Sequence, residues 1–233
     1  HLLERGFWWI HIVGILAFLN YLPYSKHFHI ILAFPNTYYA NLRAKGQFEN
    51  NAAVTKEVAL MMDPSADPFA VPATDAEVPV ERFGAKDATD LSWINLMNAY
   101  TCTECGRCTS ECPANLTGKK LSPRKIMMDT RNRIEEIGQN IDANNGTFQE
   151  DGNSLLGHYI TPEEIWACTS CNACVQACPV DIDPLNIIMK LRNYATMEES
   201  SAPSELNAMM TNVENNGAPW PFSQMDRANW TNE

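Results

Sequence analysis

The sequence predicts an all-α protein in two parts, a membrane-crossing helix followed by a helical domain folded around two cysteine loops. Three observations carry this reading. Gly6 to Ser25 run for 20 residues without a formal charge. The pattern helix, cysteine run, helix occurs twice between residues 91 and 200. Nothing in between shows the apolar–polar alternation of a strand.

Twenty helical residues span about 30 Å, the thickness of a bilayer's hydrocarbon core. Trp8, Trp9, Tyr21, Tyr24, Tyr38 and Tyr39 sit toward the ends of this run and of its continuation HFHIILAFPNTYYA, where aromatic rings favour the interface. Lys26, Arg43 and Lys45 follow the run, whereas Glu4 and Arg5 precede it and cancel. Positive charge on the C-terminal side places that side in the cytoplasm. Residues 1–40 are therefore expected to be a membrane helix with an interfacial segment in the inner (cytoplasmic) membrane. The buried core helix of a soluble domain is the alternative.

His11 and His29 are 18 residues apart, five turns of one continuous helix, which would put both imidazoles on one face about 27 Å apart. Ionisable groups in membrane segments are functional candidates, and two histidines at two depths point to axial ligands of two b-type haems. His27 would face away, and Pro23 should kink the helix. Each haem needs a second histidine from another helix, and with His1 at the edge of the sequence and His158 in a polar loop, that helix is expected upstream or in another subunit. Interfacial histidines without a metal are the competing reading.

Residues 41–90 read as a connector: a short helix over Val54 to Met62, then Pro64, Pro68, Pro72 and Pro79 in an extended arm. From residue 91 helical signals dominate. Trp93, Leu96, Met97 and Tyr100 recur on one face, predicted to pack into the core. Ser122-Pro123 starts a helix expected to end at Gly138, and Asn145-Gly146 marks a turn in a following loop. Thr161-Pro162-Glu163-Glu164 is a capping box, and Asp183-Pro184 begins a helix through about Glu199. The domain is thus predicted over 91–200. Residues 201–233, polar but carrying Trp220, Phe222 and Trp230, form an extension expected to lead into a further domain.

All eight cysteines lie in TCTECGRCTSECPAN (101–115) and ACTSCNACVQACPVD (167–181), each spaced C-x2-C-x2-C-x3-C-P. Secreted disulfide frameworks scatter their cysteines, whereas such tight groups indicate metal and a reducing compartment. Three closely spaced thiolates curl onto one cubane while the fourth, before proline, turns to the other cluster. That assigns Cys102, Cys105, Cys108 and Cys178 to one [4Fe-4S] cluster, and Cys168, Cys171, Cys174 and Cys112 to a second. A structural zinc site draws two C-x2-C pairs from separate segments and has no use for a triple run twice over. Eight cysteines supply eight corners, leaving no iron open to substrate, so the reading is electron relay rather than catalysis. Arg107, Lys119, Lys120, Arg124 and Lys125 lie near the first run in sequence, where their charge would tune the potential, although solvating a surface is the commoner use of such residues. With 17 basic against 28 acidic residues the net charge is -11, which makes nucleic acid an unsuitable partner.

WIHIVGILAFLNYLPYSKHFHI resembles the last membrane helix of the cytochrome b subunit of respiratory nitrate reductases. His11 and His29 fall on that family's haem-ligand positions, and Pro23, Tyr24, Ser25 and Lys26 on the segment between. CPANLTGKKLSPRKI, YITPEEIWACTSCNACVQACPVDIDP and GAPWPFSQMDRANW are similar to fused iron–sulfur oxidoreductases of the heterodisulfide reductase D-like kind. In that family a membrane haem domain precedes the two clusters and cysteine-rich CCG domains follow. The resemblance implies the C-terminal transmembrane helix of a haem b domain, followed by a helical dicluster ferredoxin domain. Such a protein would relay electrons between the quinone pool, through haem b, and a cytosolic redox site on another subunit or domain. Two other functions stay open: a catalytic oxidoreductase acting on a dithiol or organic acid once CCG domains are included, or a soluble ferredoxin-like subunit of a flavoprotein.

Overall fold

The structure is a computed structural model that describes residues 1–44, 46–65 and 82–232. Pro68, Pro72 and Pro79 of the expected arm lie outside the described residues. Among the described residues the architecture is helical, with one isolated bridge between Leu156 and Ile160 and no strand.

Helix α1 (Leu2–Tyr21) is long and apolar enough to cross a membrane, and none of its apolar span is buried by the rest of the chain. It does not continue to His29. Pro23 opens a 3-10 turn over Leu22–Tyr24, and Ser25 is extended (φ -123, ψ 167), which ends the helical hydrogen-bond ladder. The common stripe for His11 and His29 is therefore absent. Helix α2 (Phe28–Tyr38) starts afresh and packs along α4 (Trp93–Thr101). Asn36 of α2 is 2% exposed and donates to the Val180 carbonyl at 2.7 Å, while Tyr39 meets Trp93 edge-on. Residues 28–39, expected at the membrane interface, thus pack against the cysteine domain on one side and leave Ile30, Ile31, Phe34 and Tyr38 exposed on the other.

Helix α3 (Ala52–Met62) forms where a short helix is predicted, capped by Asn51, whose amide also bonds the Phe83 carbonyl. Residues 82–90, expected in the connector, enter the core: Ala85 and Ala88 are buried, next to Leu91 of the predicted domain. Gly84 is required here, because a Cβ would lie 2.1 Å from the Tyr194 backbone nitrogen.

Two helical repeats follow. Helix α4 leads into the first cysteine run with its short helices α5 (Arg107–Ser110) and α6 (Pro113–Leu116), and α7 (Pro123–Ala143) leaves it. Helix α8 (Pro162–Ala167) leads into the second run with α9 (Ala173–Gln176), and α10 (Pro184–Met197) leaves it. Ser122, Thr161 and Asp183 each cap the helix the sequence predicts, Thr161 in a reciprocal box with Glu164. Helix α7 runs past Gly138 because nothing there offers a cap; it stops before Asn145 and Gly146, both at positive φ. The tail contains helix α11 (Ser204–Asn216), and Trp220, Phe222 and Trp230 remain exposed.

Leu121, Ile126, Met127, Ile165, Ile187, Ile188 and Leu191 fill the core between α7, α8 and α10. Of the predicted inward stripe of α4, Leu96 packs against the core, but Trp93 is 56% exposed, while Asn95, Asn98 and Ala99 are buried. Asn98 accepts the Asp183 amide, and Asn95 bonds Asn186 and Lys190, so polar side chains fix this face.

Arg133 on α7 is fully buried and every direction of its guanidinium is met. It pairs with Asp87 through both oxygens, with Asp151 and Glu136, and donates to the Asn153 carbonyl. These bonds join residues 87, 133 and 151–153, and together they hold the guanidinium charged well above its ordinary range. Arg133→Met should destabilise the protein by about 3–5 kcal/mol, because three carboxylates lose their buried partner, read from the denaturant midpoint of the helical circular dichroism.

Candidate metal centre

Each cysteine run turns sharply by placing two residues in the left-handed region. In the first these are Glu104 (φ 59) and Gly106 (φ 83), in the second Ser170 (φ 57) and Asn172 (φ 60). The turn aims the amide two residues on at the first sulfur: Ser170 N–H donates to Cys168 Sγ at 3.4 Å, and in the first run the Glu104 amide partly offsets the burial that raises the Cys102 thiol. Gly106 and Asn172 then start α5 and α9, which pack against each other. The runs are thus two copies of one local structure set face to face.

This packing brings Cys102, Cys105, Cys108 and Cys178 to the wall of one cavity of about 90 Å³, which Cys174 also borders. On the other side Cys168 neighbours Cys112 and Cys171. Burial raises the Cys168 thiol first, and the charges of those two cysteines raise it further. In both runs the second cysteine, Cys105 or Cys171, is exposed, whereas Cys112 and Cys174 are buried. Burial also raises Cys102 and Cys108, and pushes Cys174 up to about 12.

The donor set fits an iron–sulfur cluster. Among the described residues no three His, Cys, Asp or Glu side chains are grouped closely enough to hold a single metal ion, yet five thiols, Cys174 among them, border a shared apolar space. A polynuclear core separates its sulfur ligands more widely than one ion does, and its positive charge offsets the penalty of burying thiolates.

Two arginines escaped the sequence reading. Arg131 on α7 donates to the Cys102 carbonyl at 3.4 Å and pairs with Glu104, holding that carboxyl below the usual range. Arg192 on α10 donates to the Cys168 carbonyl and to Ser170 Oγ at 3.2 Å, and stacks over Trp166. Each holds the carbonyl of its run's first cysteine and the side chain two residues later. Their distance along the chain from the cysteines, 29 and 24 residues, hides them from any local motif. Of the five cations expected near the first run, Arg107 and Arg124 line the cavity. Lys120 pairs with Glu163 and Lys125 with Asp129 and Glu164, while Lys119 is exposed. His11 is exposed on α1, and His29 Nδ1 lies 2.7 Å from the Lys26 carbonyl at the start of α2.

Residues 101–182 match the 4Fe-4S dicluster domain family. Such a domain supports electron relay, and the chain's relatives are redox proteins of this kind. It is 32% identical to a probable iron-sulfur-binding oxidoreductase, FadF, of Bacillus subtilis, over 97% of this chain and 33% of that protein. It is 28% identical to an EtfAB:quinone oxidoreductase of Syntrophomonas wolfei, over 99% of this chain and 31% of the relative. A probable membrane-anchored ferredoxin of Chromohalobacter salexigens shares 27% identity over 67% of this chain and 25% of its own length. The chain therefore spans about a third or less of these curated relatives.

Arg192→Met should lower stability by at least about 1.5–3 kcal/mol, the worth of one hydrogen bond to a charged group. Hydrogen exchange should quicken at Ser170 and Asn172 while Glu104 and Gly106 stay protected, and Arg131→Met should give the mirror result. Equal loosening of both loops by either change would show that the clamps do not act separately.

Proposed function

We propose that the chain is the membrane-anchored iron–sulfur segment of a larger oxidoreductase, relaying electrons between the quinone pool and a second redox site on the cytoplasmic side. The observation that carries this reading is the shared cavity, where three cysteines of the first run meet Cys178 of the second. On it, Cys102, Cys105, Cys108 and Cys178 hold one [4Fe-4S] cluster and Cys168, Cys171, Cys174 and Cys112 hold the other. When bound, these clusters supply one-electron storage at two neighbouring points. The chain's residues keep them in place: the left-handed turns aim amides at the first sulfurs, and Arg131 and Arg192 hold the loops that carry them.

Helix α1 supplies the anchor, in keeping with its length and apolarity and with the membrane-anchored ferredoxin among the relatives. Lys26 and Arg43 after it favour a cytoplasmic placement of the cysteine domain. A quinone as one terminus, and a second redox protein as the other, accord with the relative named for EtfAB and quinone. His11 and His29 are the candidates for axial ligands of b-type haem on the membrane side, each completed by a histidine from outside this sequence.

Anaerobically isolated full-length protein should contain about eight irons per chain beyond any haem, without zinc. Reduction should bring up cubane electron paramagnetic resonance signals that disappear on adding quinone in the membrane. Zinc in place of iron, or clusters that never exchange electrons with quinone, would sink the reading.

A further inference from the structure

The two cysteine cradles share one backbone geometry but differ in their side chains, and at one of the differing positions the first cradle meets the segment that follows the apolar span. Glu104 and Ser170 occupy equivalent places, two residues after the first cysteine of each run, both at positive φ and both held by an arginine. Only the first is a carboxylate. Its oxygen lies 3.7 Å from Lys26 Nζ, two residues beyond the end of the apolar span at Tyr24. A chain of charge contacts therefore runs from the point where the backbone leaves that span, through Lys26, Glu104 and Arg131, to the carbonyl of Cys102.

Two buried contacts agree with this surface pair, which alone would contribute little. Helix α2 packs along α4, whose last residue, Thr101, precedes Cys102. Asn36 of α2 grips the Val180 carbonyl, two residues after Cys178 and on the wall of the same cavity as Cys102, Cys105 and Cys108. The second loop is braced instead from α10, by Arg192 and Met189.

From these contacts, and resting on the relay proposed above, we infer that the relay has a fixed order. The cradle of Cys102, Cys105, Cys108 and Cys178 is its membrane-side terminal, and the cradle of Cys168, Cys171, Cys174 and Cys112 faces the redox partner. Electrons moving between quinone and partner pass the Glu104 loop at the membrane end, whichever way they travel. Glu104 and Lys26 are positioning residues that hold this end against the membrane.

The order can be read without electron transfer. The full-length protein is reconstituted anaerobically into vesicles containing a head-group spin-labelled lipid, and the relaxation of each reduced cluster's resonance is measured. Cys105→Ser and Cys171→Ser assign the two signals, since each alters only the cluster it ligates; if one variant fails to assemble, the other assigns both. The signal altered by Cys105→Ser should be broadened by the labelled lipid, and the one altered by Cys171→Ser should be unaffected. In Lys26→Ala and Glu104→Gln the broadening should weaken at that same signal. Broadening of the Cys171-assigned signal, or equal broadening of both, would overturn the order. Intact signals that exchange no electrons with quinone would remove the relay and leave the order readable, whereas absence of both signals would overturn the two together.

Discussion

The domain depends on α5 and α9 being held face to face. A helix of four residues has no stability of its own, because nucleation is unfavourable and too few hydrogen bonds follow to offset it. Both helices persist because each closes a loop whose backbone is fixed elsewhere: by two left-handed residues, by an amide aimed at a sulfur, and by an arginine arriving from the next long helix. Once they meet, thiols from opposite ends of the domain share a wall, and burial drives those thiols toward their neutral form. Without a metal core the thiols are thus held neutral, and a cationic core would favour the thiolates that ligate it.

The surrounding structure fixes the place of these thiols. Long helices α7 and α10 supply the apolar core and also the arginines, so packing and loop geometry are parts of one rigid body. Arg133 adds a second tie, drawing Asp87 and Asp151 to α7 from segments far apart in the chain. Residues 82–91 close the other side, where the Gly84 backbone lies against that of Tyr194.

What could be read from the residue order alone follows the range of each interaction. Caps and cysteine turns are local, so Ser122, Thr161 and Asp183 announced their helices, and the two runs announced the chemistry. Interactions that close across the fold left no such mark. Arg131 and Arg192 look like ordinary surface cations of amphipathic helices until the loops fold onto them. Periodicity pointed Trp93 inward, yet Asn95 and Asn98 took the buried face because their amides satisfy backbone and side-chain groups from the second repeat. The apolar run misled in another way. Hydropathy cannot distinguish a surface that meets lipid from one that meets α4, and only Pro23 and extended Ser25 divide the two uses.

That division has a mechanical consequence. A carrier on a flexible tether must search for its donor, and its turnover is then set by how often a loose body collides in the right orientation. Here the chain is pinned again within a few residues of leaving the apolar span, by α2 seated on α4 and by Asn36 driven into the second repeat. Gap distance rather than diffusion would then limit transfer, and a lengthened turn at residues 22–27 would convert a hard-wired contact into a swinging arm.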